Sequence, residues 1–194
     1  MTMRTRAMLA VAMLLAGCAA GPSINVKHRI PHGGTLAVVM FQDCSIANQA
    51  DCGGSGAKAG AIFVRVLAER PGLHTVALNR PVAATAALDD AAAIAYAKAK
   101  GYRYVVNGEV QDYRGSGSLA LHAPRAAVSL RVLNTANGQT WATYSYQEQS
   151  STRLAGPDAL LEEMAKQVAA AIILEKKGER PGNFLLYKQK PAGE

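Results

Sequence analysis

Hydrophobic positions change their period several times along the chain, and each change marks an element. Thr35-Leu36-Ala37-Val38-Val39-Met40-Phe41 is a short, nearly continuous apolar run, as expected of a strand covered on both faces. From Gly53-Gly54-Ser55-Gly56 to Arg70 the spacing becomes helical. Ala59, Ile62, Phe63, Val66 and Leu67 recur at three and four, and Pro71-Gly72 ends the run. Leu73–Leu78 predicts a second strand. A loop with Pro81 leads to Leu88-Asp89-Asp90, where acids suit the positive end of a helix dipole. An alanine-rich helix then runs to Lys100, and Gly101 fits its C-terminal cap. Tyr104–Val110 predicts a third strand, so two strand–helix–strand units follow one another and call for right-handed crossovers.

Past Gly115-Ser116-Gly117-Ser118 the period falls to two. Ala126, Val128, Leu130 and Val132 alternate along one strand, and Ala142, Tyr144 and Tyr146 line one side of another, Thr140–Gln149. Asn134–Gln139, with Asn137-Gly138, is the turn between them. Such alternation predicts an antiparallel pair with one covered face. Trp141 lies just past the turn, on the opposite face from Tyr144. It is either core or a partly exposed interface ring; core packing is expected, and the ring stays a candidate partner contact. The last helix opens at Gly156-Pro157-Asp158 and carries Leu161, Met164, Val168 and Ile172. Glu162 and Glu163 lie early in it, Lys176 and Lys177 late, and Gly178 stops it. The elements make an α/β (α+β) domain over residues 35–178: a mixed β-sheet with strand–helix–strand units, an antiparallel hairpin and a C-terminal helix. The tail 179–194 is polar except for Phe184-Leu185-Leu186-Tyr187, a second candidate partner contact, open to being disordered, folded back or docked on a neighbour.

Ahead of the domain, Arg4 and Arg6 precede the apolar run Ala7–Leu14, the order of a secretory signal peptide over residues 1–17. The run is too short to span a bilayer, which takes about 20 residues. Leu15-Ala16-Gly17-Cys18 resembles the bacterial lipobox. That resemblance implies cleavage before Cys18 and acylation of that cysteine, the alternative being a cleaved signal with an incidental cysteine. Two or more acyl chains hold a protein stably on a membrane. In enteric lipoproteins an Asp after the cysteine retains the protein at the inner membrane, so Ala19 implies the periplasmic face of the outer membrane. Residues 18–34, with Gly21-Pro22, Pro31 and Gly33-Gly34, read as a lipidated tether, whose 16 residues from Ala19 reach at most about 55 Å. His28 and His32 are four apart in it, but Pro31 argues against a helix that would make them a metal chelate.

Removing signal and tail leaves about 150 residues, enough for one domain with a real core. The formal charge is +7, and loss of Arg4 and Arg6 brings it to +5. For an exported chain this balance points to anionic headgroups, acidic glycans or plain solubility, and nucleic acid is not an expected partner. With Cys18 lipidated, Cys44 and Cys52 remain as an even pair in an oxidising compartment. They flank the polar segment Ser45–Asp51. The spacing is not Cys-x-x-Cys and no histidine is near enough to complete a zinc set. A structural disulfide is therefore expected, with a reactive thiol pair as the alternative.

Catalytic motifs are missing. There is neither a Gly-x-Ser-x-Gly elbow nor a His-Glu-x-x-His pair. His74 and His122 have no carboxylate or nucleophile at a motif spacing. Glu109 and Asp112 could act as an acid–base pair, but solvated acids at a strand end explain them more simply. Gly53–Lys58 follows a strand and opens a helix as phosphate loops do, yet the glycine before Lys58 is missing and Ala59 replaces the hydroxyl residue. No catalytic residue, cofactor or metal is expected, and the protein reads as a non-enzyme.

Three stretches carry a wider resemblance: Leu36–Phe41, Ala95–Val110 with its helix, Gly101 and Gly108-Glu109-Val110, and the hairpin Leu130–Trp141. Behind a lipobox, this order resembles bacterial envelope lipoproteins of the CsgG, LpoB and PelC group, which share the TolB N-terminal-like fold. Asn134 and Asn137 depart from the group's usual Asp and Thr in the hairpin. The resemblance implies a structural or assembly component of an envelope secretion or export apparatus. The alternative is a periplasmic regulator of a peptidoglycan synthase. It also implies envelope proteins as partners, with strand edges and the Phe184–Tyr187 patch as contacts for a homo-oligomeric ring. A self-inserting pore needs paired strands of about 9–11 residues, apolar toward lipid. Only Ala126–Gln149 approaches that, and its Arg131, Gln147 and Glu148 suit a solvated face.

Overall fold

A computed structural model describes residues 21–116, 122–151 and 155–174. Among these residues six strands form one sheet: β1 (Ser23–Val26), β2 (Gly34–Val39), β3 (Leu73–Leu78), β4 (Tyr104–Arg114), β5 (Arg125–Asn134) and β6 (Thr140–Gln149). Their spatial order is β1-β6-β5-β4-β2-β3. The helices are α1 (Ser55–Ala68), α2 (Asp90–Ala99) and α3 (Pro157–Ile172). β2 pairs in parallel with both β3 and β4, while β4, β5, β6 and β1 are antiparallel neighbours. This is the mixed α+β sheet expected from the sequence.

The period of two along each strand sorts the core into two layers. Leu36, Val38, Tyr104, Val106, Val128 and Leu130 pack with Phe63 and Leu67 of α1 and with Leu161, Met164 and Val168 of α3. On the other face Ala37, Val39, Val105 and Leu133 meet Ala93 and Ala97 of α2. β2 is apolar at every core position because a helix layer covers each face; Leu36, Ala37, Val38 and Val39 are all fully buried. The alanines of α2 let that helix lie close to the sheet, and the Asp89 carboxylate caps it by accepting from the Ala92 N–H at 2.7 Å.

Residues 23–34, taken above as part of a tether, belong to the fold. β1 pairs with β6, Ser23 opposite Ser145 and Val26 opposite Ala142. The Lys27 and His28 amides donate to the Trp141 carbonyl at 2.8 and 3.1 Å. Ile30 is fully buried, and its backbone is bonded to Ile172 and Leu174. The strand escaped the pattern because Ile24 and Val26 alternate over only four residues at a mostly exposed sheet edge, too few to set a period. The last helix also ends early, at Ile172 rather than near Gly178, because Ile173 turns extended and bridges to Ile30. β4 runs four residues past the expected Val110, through an irregularity between Val110 and Asp112.

On the hairpin, the face assigned to Trp141 needs correction. A bulge pairs Val132 with Ala142 but Leu133 with Thr140, leaving Trp141 as the extra residue. The bulge rotates its ring into the same core as Tyr144, instead of the opposite face, and half-buries it. Its ring centroid stands 4.7 Å from that of Tyr104 and 5.3 Å from that of His28.

Candidate functional site

The C-terminal ends of β2 and β4 carry the most elaborate polar structure. Cys44 and Cys52 are joined by a disulfide with Cα atoms 5.0 Å apart, inside the range such a bond requires. Both are buried, at 3% and 7% exposure, so neither presents a reactive sulfur. The enclosed loop is fastened to β4 by side chains. Gln49 donates to the Asp112 carboxylate at 3.0 Å and to the Tyr113 carbonyl at 2.7 Å. Arg114 donates to the Gln49 side-chain Oε1 at 3.3 and 3.0 Å, and the Gly115 amide donates to Asp51 at 2.9 Å. Tyr113 reaches across to α3, donating to Asp158 at 2.5 Å. Burial first, and then this bond, push its phenol above the usual tyrosine range. Removing the bridge with a Cys44→Ser, Cys52→Ser double variant should lower stability by about 2–3 kcal/mol, read from urea unfolding of oxidised wild type against the variant.

The glycine-rich start of α1 already holds an anion, supplied by the chain itself. The Asp43 carboxylate accepts from the Gly54 amide at 2.9 Å and the Gly56 amide at 2.6 Å. It is 6% exposed. The Cys44 amide donates to Ser55 Oγ at 3.1 Å, completing the closure. A helix N-terminus occupied by a buried carboxylate has no seat left for phosphate. Sequence reasoning rejected the phosphate loop on missing residues and did not identify Asp43. The available signal was an acid at the end of a buried strand, shortly before a glycine-rich helix start.

Arg80 and Arg131 line a polar hollow with Gln42, Asn107, Glu109 and Ser129. Its volume is about 30 Å³, room for a water or two and no substrate. Arg131 pairs with Asp90 at 2.9 Å, and Asn107 donates to Leu88 and Asp90. Arg80 donates to the Met40 and Ala86 carbonyls, tying the loop after β3 to the end of β2. Burial lowers the Arg80 pKa, with Asp43 opposing. Glu109 and Asp112 are given different neighbours: Glu109 accepts from Gln111 at 3.1 Å, and Asp112 engages Gln49 and Arg125. Among the described residues no cluster of His, Cys, Asp and Glu could hold a metal ion, and no helix is long and apolar enough to cross a membrane. Cys18 and Phe184, Leu185, Leu186 and Tyr187 lie outside the described residues.

No family model matches the sequence, and no curated protein does either. The fold does have solved relatives. A PelC variant from Paraburkholderia phytofirmans, a dodecamer, superimposes with a TM-score of 0.62 at 14% identity, over 80% of this chain and 100% of that one. A PelC dodecamer of the same organism in another crystal form gives 0.60 at 16% identity, over 80% and 99%. The LpoB C-terminal domain from Salmonella enterica gives 0.38 at 15% identity, over 74% and 94%, too slight to argue from. The resemblance drawn from the sequence holds at the level of fold.

Proposed function

We propose that this protein is a lipoprotein held by Cys18 on the periplasmic face of the outer membrane, and that its domain is a non-enzymatic assembly component of an envelope secretion or export apparatus. The observation that carries this is the PelC likeness, in which the whole of a dodecamer-forming chain is covered. The short tether adds to it. With β1 starting at Ser23, only Ala19–Pro22 separate Cys18 from the sheet, a reach of at most about 18 Å. A regulator working on wall synthases at the other membrane needs a long linker, so a domain kept at its own membrane fits assembly better. β1 and β3 are the outermost strands, and heterologous pairing of such edges closes rings.

In the native host the wild type should sediment with the outer membrane and show acyl mass on the mature chain, whereas Cys18→Ser should appear in the soluble fraction. The detergent-extracted protein should size as a defined oligomer and crosslink in cells to an outer-membrane component. A strict monomer crosslinking to a wall synthase would replace assembly by regulation, and substrate turnover abolished by Glu109→Ala would overturn both.

A further inference from the structure

We propose that the protein meets the bilayer with one end of its sheet, the end bearing the disulfide loop and the outer ends of β4, β5 and β6, and turns the opposite end away from the membrane. This orientation rests on the anchor at Cys18 proposed above. Its physical basis is the register of β1. Ser23 faces Ser145 and Val26 faces Ala142 in an antiparallel pair, so the chain that leads into β1 arrives from the side of Tyr146–Gln149. β6 continues four residues past Ser145 in that direction, about 13 Å. A reach of at most about 18 Å from Ser23 therefore allows Cys18 to come level with Gln149.

That row of the sheet is Gln149, Arg125 and Arg114 across β6, β5 and β4. The disulfide loop joins it through the bond from the Gly115 amide to Asp51. The surface there is polar: Asn48, Asp51, Gln149 and Ser151 are exposed. Hydrated, hydrogen-bonding groups of this kind match a lipid headgroup layer and not its acyl interior, so the contact is with headgroups and the acyl chains of Cys18 alone enter the bilayer.

The other end is set by α3. Asp158 in its first turn bonds to Tyr113 beside the disulfide loop. The helix then runs 16 residues, about 24 Å, to deliver Ile173 and Leu174 against Ile30. The Asn137-Gly138 turn belongs to this far end, beyond Thr140. The chain past Leu174, with its Phe184–Tyr187 patch, sets out from the end remote from the anchor.

The test uses the full-length acylated protein in vesicles of phosphatidylethanolamine and phosphatidylglycerol carrying a headgroup energy acceptor. A donor is attached at Ser151→Cys or, separately, at Asn137→Cys, with the Cys44–Cys52 bond left intact. Both positions are exposed. Transfer should be several-fold more efficient from position 151 than from 137. Equal transfer from both, or greater transfer from 137, overturns the orientation while leaving the anchor in place. Acyl-free Cys18→Ser protein that binds the vesicles as fully as the acylated protein overturns the anchor, and the orientation with it.

Discussion

Replacing Gly56 with Ala should cost the fold about 3 kcal/mol or more, a large part of the roughly 5–15 kcal/mol that holds an ordinary domain folded. A Cβ there would stand 2.1 Å from the Phe41 carbonyl oxygen and 2.7 Å from the carbonyl carbons of Phe41 and Gln42. All three are backbone atoms, which cannot rotate aside as a side chain would. Any shift that relieves the clash also lengthens two bonds, Phe41 N–H to the Gly56 carbonyl at 3.2 Å and Gly56 N–H to Asp43 at 2.6 Å. It pulls Phe41 from Phe63, whose ring lies 5.0 Å away by centroids. Gly53→Ala is the control. Its Cβ would meet nothing closer than the Ala50 carbonyl at 3.8 Å, and its backbone suits any residue at φ −62°. That change should stay within about 0.5 kcal/mol. Urea midpoints decide: a Gly56→Ala midpoint equal to that of Gly53→Ala would mean that α1 does not approach the end of β2 as closely as described.

The glycines around Phe41 illustrate what a single sequence conceals. Gly53–Gly56 reads correctly as a helix start, because its composition is local. Why Gly56 must lack a side chain depends on a strand end 15 positions earlier folding back over it. Gly108 is similar: a Cβ there would stand 3.0 Å from the Phe41 ring and 3.1 Å from Leu130. The Gly-x-Val pattern at Gly108-Glu109-Val110 therefore makes room for the aromatic ring that joins β2 to α1. β2, α1, β3 and β6 were legible to within a residue or two, since burial writes itself into the pattern, as an unbroken apolar run in β2 and as a helical or twofold period in α1 and β6. Trp141 was misplaced because a bulge inserts one residue without any mark in composition, and every face assignment rests on counting by two. Of the candidate partner contacts, Trp141 turns out to support the β1–β6 junction.

Ile30→Ala should destabilise the domain by about 3 kcal/mol, whereas Ile24→Ala should change it by less than about 1 kcal/mol. Both residues lie in the segment first read as a tether, so the pair separates a linker from a built-in strand. Ile30 is fully buried and Ile24 is 38% exposed. Truncation at Ile30 removes three buried carbons and leaves a cavity where the chain passes α3. The backbone bonds from Ile30 N–H to Ile172 at 2.7 Å and from Leu174 N–H to Ile30 at 3.1 Å keep the neighbouring main chain from collapsing into it. Ile24 on the edge strand loses little on truncation, because water already reaches its side chain. If both variants unfold at the wild-type urea concentration, residues 23–30 are not part of the cooperative unit. The linker would then regain most of its expected length, and under the proposed anchor the domain could stand off the membrane far enough to reach other partners. If Ile30→Ala alone is weakened, at most the eleven residues 19–29 separate Cys18 from the cooperative fold, and under the proposed anchor whatever the protein assembles with must come close to that membrane.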